Sequence, residues 1–166
     1  MIAIKTKALL IACSCILFLI SGCTQQVITI GNNEIASLFW KSESYFSAVA
    51  TEFYPLGLEA AFYLEDSVVV SQAGDGRNIE VSGQVTDVVF NCLQLMNDFL
   101  IDNYDTDSYW ARINTQTLDE HSFFLFFEFW DNKNAVASGI AYTTDVYDGN
   151  FYELRPNWYF YAFPGI

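Results

Sequence analysis

The spacing of apolar positions changes along this chain, and each change predicts a different element. After Lys5 and Lys7 comes an unbroken apolar run from Ala8 to Leu19. From Glu34 the apolar residues Ile35, Leu38, Phe39, Phe46, Val49, Ala50 and Phe53 recur at helical spacing until Pro55 and Gly57 interrupt them. This predicts an amphipathic helix to about Tyr54, with Asn32 or Asn33 as its N-cap. Leu58 to Leu64, rich in good helix formers, reads as a second, shorter helix. The β-branched run Ser67 to Gln72 is followed by the turn formers Ala73-Gly74-Asp75-Gly76, and Asn78 to Val81 can return as a partner strand. The strongest helical stripe is Val85, Val88, Val89, Cys92, Leu95, Met96, Phe99 and Leu100, with Ser82 as its cap. Beyond Tyr109, runs of aromatic and β-branched residues at 109–117, 121–131, 134–146 and 151–163 predict a four-stranded antiparallel meander. Asp148-Gly149 is a hairpin signal within it.

Strand parity predicts what each face of that meander meets. In 121–131, Phe123, Leu125, Phe127 and Phe129 share one face, and Phe124, Phe126, Glu128 and Trp130 share the other. Both faces are apolar enough to need covering, whereas a sheet with one wet face alternates cleanly. On the preceding run, Tyr109, Ala111 and Ile113 match the apolar face, while Trp110, Arg112, Asn114 and Gln116 match the mixed one. Arg112 and Glu128 are expected to be diagonal neighbours and to pair. Pro156, which cannot donate to a ladder, marks a bulge or an edge in the last strand.

The N-terminal pattern carries an address. A basic start, an apolar stretch and Ile20-Ser21-Gly22-Cys23 resemble a bacterial lipoprotein signal, with cleavage before Cys23 and lipid attached to that residue. The stretch is shorter than the roughly 20 residues that span a bilayer core. The division expected is a signal peptide at 1–22, a lipidated tether at 23–32 and one domain at 33–166. The expected location is the bacterial cell envelope, at the outer membrane if the host has two. Once the signal is removed, five basic residues face twenty acidic ones, a formal charge of −15. Such a surface disfavours nucleic acid as a partner. Phe, Tyr and Trp make up 17% of the chain, enough to fill a thick core, a pocket or an interface. Cys92 is then the one remaining thiol and is expected to be buried and inert.

Candidate chemistry is sparse, and no cofactor or metal is implied. His121 stands at a predicted turn beside Asp119 and Glu120, away from any partner for nucleophilic catalysis. Asp102, Asp105 and Asp107 cluster after the second long helix but lack the glycine and final Glu of a calcium loop. Glu128 sits among aromatics that would desolvate it, and Arg112 would hold it ionised. Together with Trp110, Phe124, Phe126 and Trp130, this pair predicts a partner-binding face, most simply a homodimer interface.

The order of elements, the segment Ala61-Phe62-Tyr63-Leu64-Glu65-Asp66-Ser67-Val68-Val69-Val70, the Gly-rich turn after it and Gly83 before the long helix resemble the nuclear transport factor 2-like family, which includes polyketide cyclases and ketosteroid isomerases. The resemblance implies an α+β fold shaped as a cone, with helices packed on a curved antiparallel sheet whose concave side faces a pocket. It also implies that Glu65-Asp66 closes a helix and that the isomerases' general base falls at Ser71, where no acid stands. Tyr45 falls at the position of their hydrogen-bond-donating tyrosine if the intervening segment is two residues longer here. On this reading Tyr45, Ser71, Tyr109, Phe127 and Phe129 would bind a small apolar ligand. The alternatives are an isomerase, dehydratase or cyclase using another pocket carboxylate, and a structural dimer without a pocket.

Overall fold

The computed structural model describes residues 32–104, 107–118, 122–133, 135–145 and 151–163. Cys23, the signal and tether before Asn32, His121, Asp105 and the Asp148-Gly149 turn lie outside them. Over these residues the fold is α+β, with two helices packed on a curved, unclosed antiparallel sheet of seven strands. Helix α1 (Asn32–Glu52) and a single turn of 3₁₀ helix (Tyr54–Leu56) precede the hairpin β1 (Ala60–Glu65) and β2 (Val68–Ala73). Helix α2 (Gly83–Asn103) then leads into β3 (Tyr109–Leu118), β4 (Ser122–Asp131), β5 (Val136–Tyr142), β6 (Tyr152–Arg155) and β7 (Trp158–Phe163). The spatial order is β2-β1-β3-β4-β5-β7-β6.

Both long helices lie where the apolar stripes place them. In α2, Val85, Val89, Cys92, Leu93, Met96 and Leu100 are buried, and the Ser82 hydroxyl accepts from the Val85 amide at 3.4 Å. The start of α1 differs from expectation: Asn32 and Asn33 are already helical, so neither caps it. Its stripe has a gap between Phe39 and Phe46, and there, at Ser42, the backbone leaves helical geometry (φ −130°, ψ 23°). The two segments on either side of this kink each present their own apolar residues to the sheet.

The second predicted helix is a strand. Residues 60–65 are buried in alternation and pair along their length with β2, because Asp66 and Ser67 both adopt left-handed φ (49° and 64°) and turn the chain in two residues. Helix propensity in so short a run yields to pairing and to the burial of Ala60 and Phe62. β2 therefore pairs with β1, and the expected return strand at 78–81 contributes one bridge, Gln72 to Asn78. Asp66 belongs to a hairpin turn and not to a helix end.

The meander gains a strand. Pro156 and Asn157 (φ 72°) form a turn that divides 151–163 into β6 and β7, with a bulge between Glu153 and Arg155. β3 and β4 pair at ten positions, from Tyr109 opposite Asp131 to Leu118 opposite Ser122, and Arg112 lies directly opposite Glu128 instead of diagonally. Between the helices and the inner sheet face, Phe39, Phe46 and Phe53 pack with Phe62, Ile113, Leu125, Phe127, Phe129 and Trp158. On the outer face a second cluster forms from Phe124, Phe126, Ala141 and Tyr161, with Phe151 and Tyr159 laid over it. Both faces of β4 are thus covered within the chain, as its composition requires.

Gly139 makes that outer covering possible. A Cβ there would lie 2.0 Å from the Phe127 carbonyl oxygen and 3.1 Å from the Tyr161 hydroxyl. Gly139→Ala should therefore destabilise the fold by about 3 kcal/mol or more, read as a lower denaturant midpoint in urea unfolding. An unchanged midpoint would show that β5 has room the geometry does not give it.

Candidate functional site

Four consecutive strands place Arg112, Glu128, Gly139 and Tyr161 in one row across the outer face, each directly opposite the next. Because Gly139 has no side chain, the Tyr161 ring can cross β5 and bring its hydroxyl beside Glu128. The Glu128 carboxylate, 4% exposed, also accepts from Arg112 Nε, from Trp130 Nε1 at 3.0 Å and from Asn114 Nδ2 at 3.4 Å. Three donors, from Arg112, Trp130 and Asn114, thus compensate one buried charge, which would otherwise be costly. Trp110 and Trp130 stack at 5.7 Å with the Arg112 guanidinium against both rings. Trp110 donates to Asn132 Oδ1 at 2.9 Å.

This arrangement alters the expected interface. Phe124 and Phe126 are fully buried by their own chain, so of the six residues expected at that interface Trp110, Arg112 and Trp130 keep solvent exposure. Phe126→Glu would consequently test folding and not association. A satisfied, buried Glu128 acts as an anchor for the sheet.

The residues expected to line a pocket lie, among the described residues, in different surroundings. Phe127 and Phe129 are in the core, where Phe127 meets Phe46 at 4.9 Å and Trp158 at 6.0 Å, and Phe129 meets Phe99 at 5.6 Å. Tyr109 packs on Tyr104 at 5.1 Å beside them. Tyr45 is 46% exposed and lines a shallow groove between the helices with Ser44, Ala48, Val88 and Asn91, none of them a carboxylate. Ser71 lies in β2, where its hydroxyl donates to the Ile79 carbonyl at 2.5 Å. Tyr45 and Ser71 therefore occupy different elements with different surroundings.

An open cleft of about 270 Å³ lies instead where α1 meets the end of the sheet. Ser47 and Thr51 supply its helix side, Tyr142 its floor, and Arg155, Asn157 and Trp158 its far wall, the last three held by the β6–β7 turn. Arg155 Nη1 pairs with Glu43 Oε1 at 2.7 Å, just past the kink in α1, and Nη2 reaches Ser47 Oγ at 3.4 Å. Its guanidinium lies over Trp158 at 5.5 Å and Phe39 at 5.8 Å. Arg155 Nε is buried without a hydrogen-bond partner. Burial, and secondarily the neighbouring Tyr54, push the Tyr142 phenol above its ordinary pKa against the opposing effect of Arg155, so it remains a protonated donor. Sequence reading missed this cleft, because its members come from three distant segments; only an irregularity at Pro156 was visible in advance.

Among the described residues no group of three or more His, Cys, Asp or Glu is placed to hold a metal, and no helix is long and apolar enough to cross a membrane. Comparison of the chain with protein-family models, with curated proteins and with solved structures gave no match in any of the three.

Burial raises the Tyr161 phenol well above the usual tyrosine range, with Glu128 adding to the effect and Arg112 opposing it, and burial also raises the Cys92 thiol strongly. Both groups ionise at lower pH in the unfolded chain than in the folded one, so the unfolded state binds fewer protons in alkali and stability falls as pH rises. The loss begins near the free-cysteine value of about 8.5 and steepens above about 10, by about 1.4 kcal/mol per pH unit for each group. Cys92→Ala should remove the first part of this slope and Tyr161→Phe the second, in urea unfolding measured across alkaline pH. Identical slopes in wild type and both variants would contradict the assignment.

Removing the Glu128 side chain leaves Arg112, Trp130 and Asn114 without this acceptor. Glu128→Ala should cost about 3–5 kcal/mol, and pairing it with Arg112→Met should recover part of that loss in a double-mutant cycle.

Proposed function

We propose that the chain is a lipid-anchored protein of the bacterial cell envelope whose single domain binds a small ligand in the cleft between α1, β5 and the β6–β7 turn. The observation that carries this reading is the cleft itself, open at the end of the sheet and holding a guanidinium with an unmatched donor. The anchor is supported by the basic start, the short apolar stretch and Cys23. A nuclear transport factor 2-like assignment is supported by the order helix, hairpin, helix and antiparallel strands. It brings no activity with it, since one fold hosts many functions. Packing of Phe127 and Phe129 against helix side chains favours the cleft over a deep apolar pocket.

A second reading is favoured by Trp110, Arg112 and Trp130, an aromatic and cationic patch of the kind enriched at interfaces. In it, the outer face pairs with a second copy of the chain.

Two measurements test the proposal on protein extracted from membranes. Intact mass should show a chain that begins at an acylated Cys23, and Cys23→Ser should abolish the acylation; a wild-type chain that starts elsewhere or carries no lipid would refute the anchor. Ligand-observed NMR with a mixed set of small acids, amides and alcohols should find binders whose signals are lost with Ser47→Trp, which fills the cleft. An absence of binders, or binders indifferent to Ser47→Trp, would refute the cleft. Equal, monomeric mass by light scattering for wild type and Arg112→Glu would exclude the second reading.

A further inference from the structure

We infer that the cleft at Arg155 is a recognition site for a planar monocarboxylate with a small apolar body; the inference rests on the cleft being the binding site. A guanidinium carries donors along a rigid fork suited to two parallel bonds with one carboxylate. In Arg155 that fork is used unevenly. Nη1 is committed to Glu43, Nη2 makes only a long contact with Ser47, and Nε has no partner although it is buried. A buried donor left unmatched costs more than a made bond returns, so an occupant is expected. The Nε–Nη2 edge is the one that a carboxylate grips side-on.

The surroundings narrow the chemistry. Phe39 and Trp158 lie against the guanidinium, and the Glu43 pair fixes one of its ends, so the group is held in place before any ligand arrives. Tyr142 keeps its proton and can give a further hydrogen bond. None of the residues lining the cleft is a carboxylate, so the site offers donors to an acceptor-rich group, while Ala50 and Pro156 provide apolar contact. Glu43 beside the guanidinium already balances its charge, and the chain carries twenty acidic residues. A second negative charge on the ligand would be repelled, which favours a carboxylate over a phosphate dianion. A volume of about 270 Å³ admits a ring or short alkyl chain attached to that group.

Isothermal titration of the full, membrane-extracted chain tests this with sodium benzoate as the probe, with benzyl alcohol and benzamide as uncharged controls of the same ring and inorganic phosphate as a more highly charged one. Benzoate should bind saturably and the three controls at least tenfold more weakly. Arg155→Lys preserves the charge toward Glu43 but loses the fork, and should weaken benzoate at least tenfold. Tyr142→Phe, which removes one donor on the floor, should weaken it severalfold in a folded protein. Equal binding of benzoate and benzyl alcohol, each abolished by Ser47→Trp, would overturn the carboxylate inference and leave the cleft as a binding site. Benzoate binding that survives both Arg155→Lys and Tyr142→Phe would overturn it as well. Absence of binding by any of the four compounds would count against the cleft and the inference together, and would assign the Arg155 donor to trapped water.

Discussion

The fold depends on the requirement that β4 be dry on both sides. From Phe123 to Trp130 its side chains are apolar at every position except Glu128, and the strand sits fourth of seven in the sheet. Two helices can cover only one of its faces. The other is covered by aromatic residues from β7 and the segment just before β6, which lie over Phe124 and Phe126. The polar residue in this strand then needs its own provision. Arg112, Trp130, Asn114 and Tyr161 converge on Glu128, and the absent side chain at position 139 opens the way for the last of them.

Covering the outer face also creates the cleft. To bring Phe151 and Tyr161 over the sheet, the end of the chain must fold back on itself, and Pro156 and Asn157 make that turn beside α1. Arg155 is carried with the turn and ties it to Glu43, one residue after the helix deviates at Ser42. The kink, the turn and the cleft are therefore one arrangement. Tyr54 reinforces it nearby, where its hydroxyl bonds to the Phe123 carbonyl and to Thr144, joining the end of α1 to the rim of β4 and β5.

Much of the architecture was legible in the spacing of apolar residues. The two long helices, the strand parity of β3 and β4, the dry second face and the ion pair of Arg112 with Glu128 all follow from it. What escaped was decided by backbone geometry and distance in sequence. Residues 60–65 became a strand because Asp66 and Ser67 accept left-handed conformations, which neither residue type announces as strongly as Asn-Gly does. Phe124 and Phe126 looked available to a partner because the residues that cover them come some 25 to 37 positions later. Tyr45 and Ser71 were expected at one site on a family resemblance alone, and they lie on different elements. The cleft was illegible because no single segment contains it. Gly139 within a strand was the one local sign that another group passes close to the backbone.

An unclosed sheet has two outer strands, and here neither can recruit another chain along much of its length. The far half of β2 is already occupied by the Arg77 to Ile79 segment, through the Ala73 amide, the Ser71 carbonyl and the Gln72 bridge. At the opposite end, β6 is four residues long, bulged, and stopped by a proline. Neighbouring copies crowded side by side thus meet interrupted borders where an open ladder would let them polymerise, and the molecule keeps a sheet that ends at its own boundary.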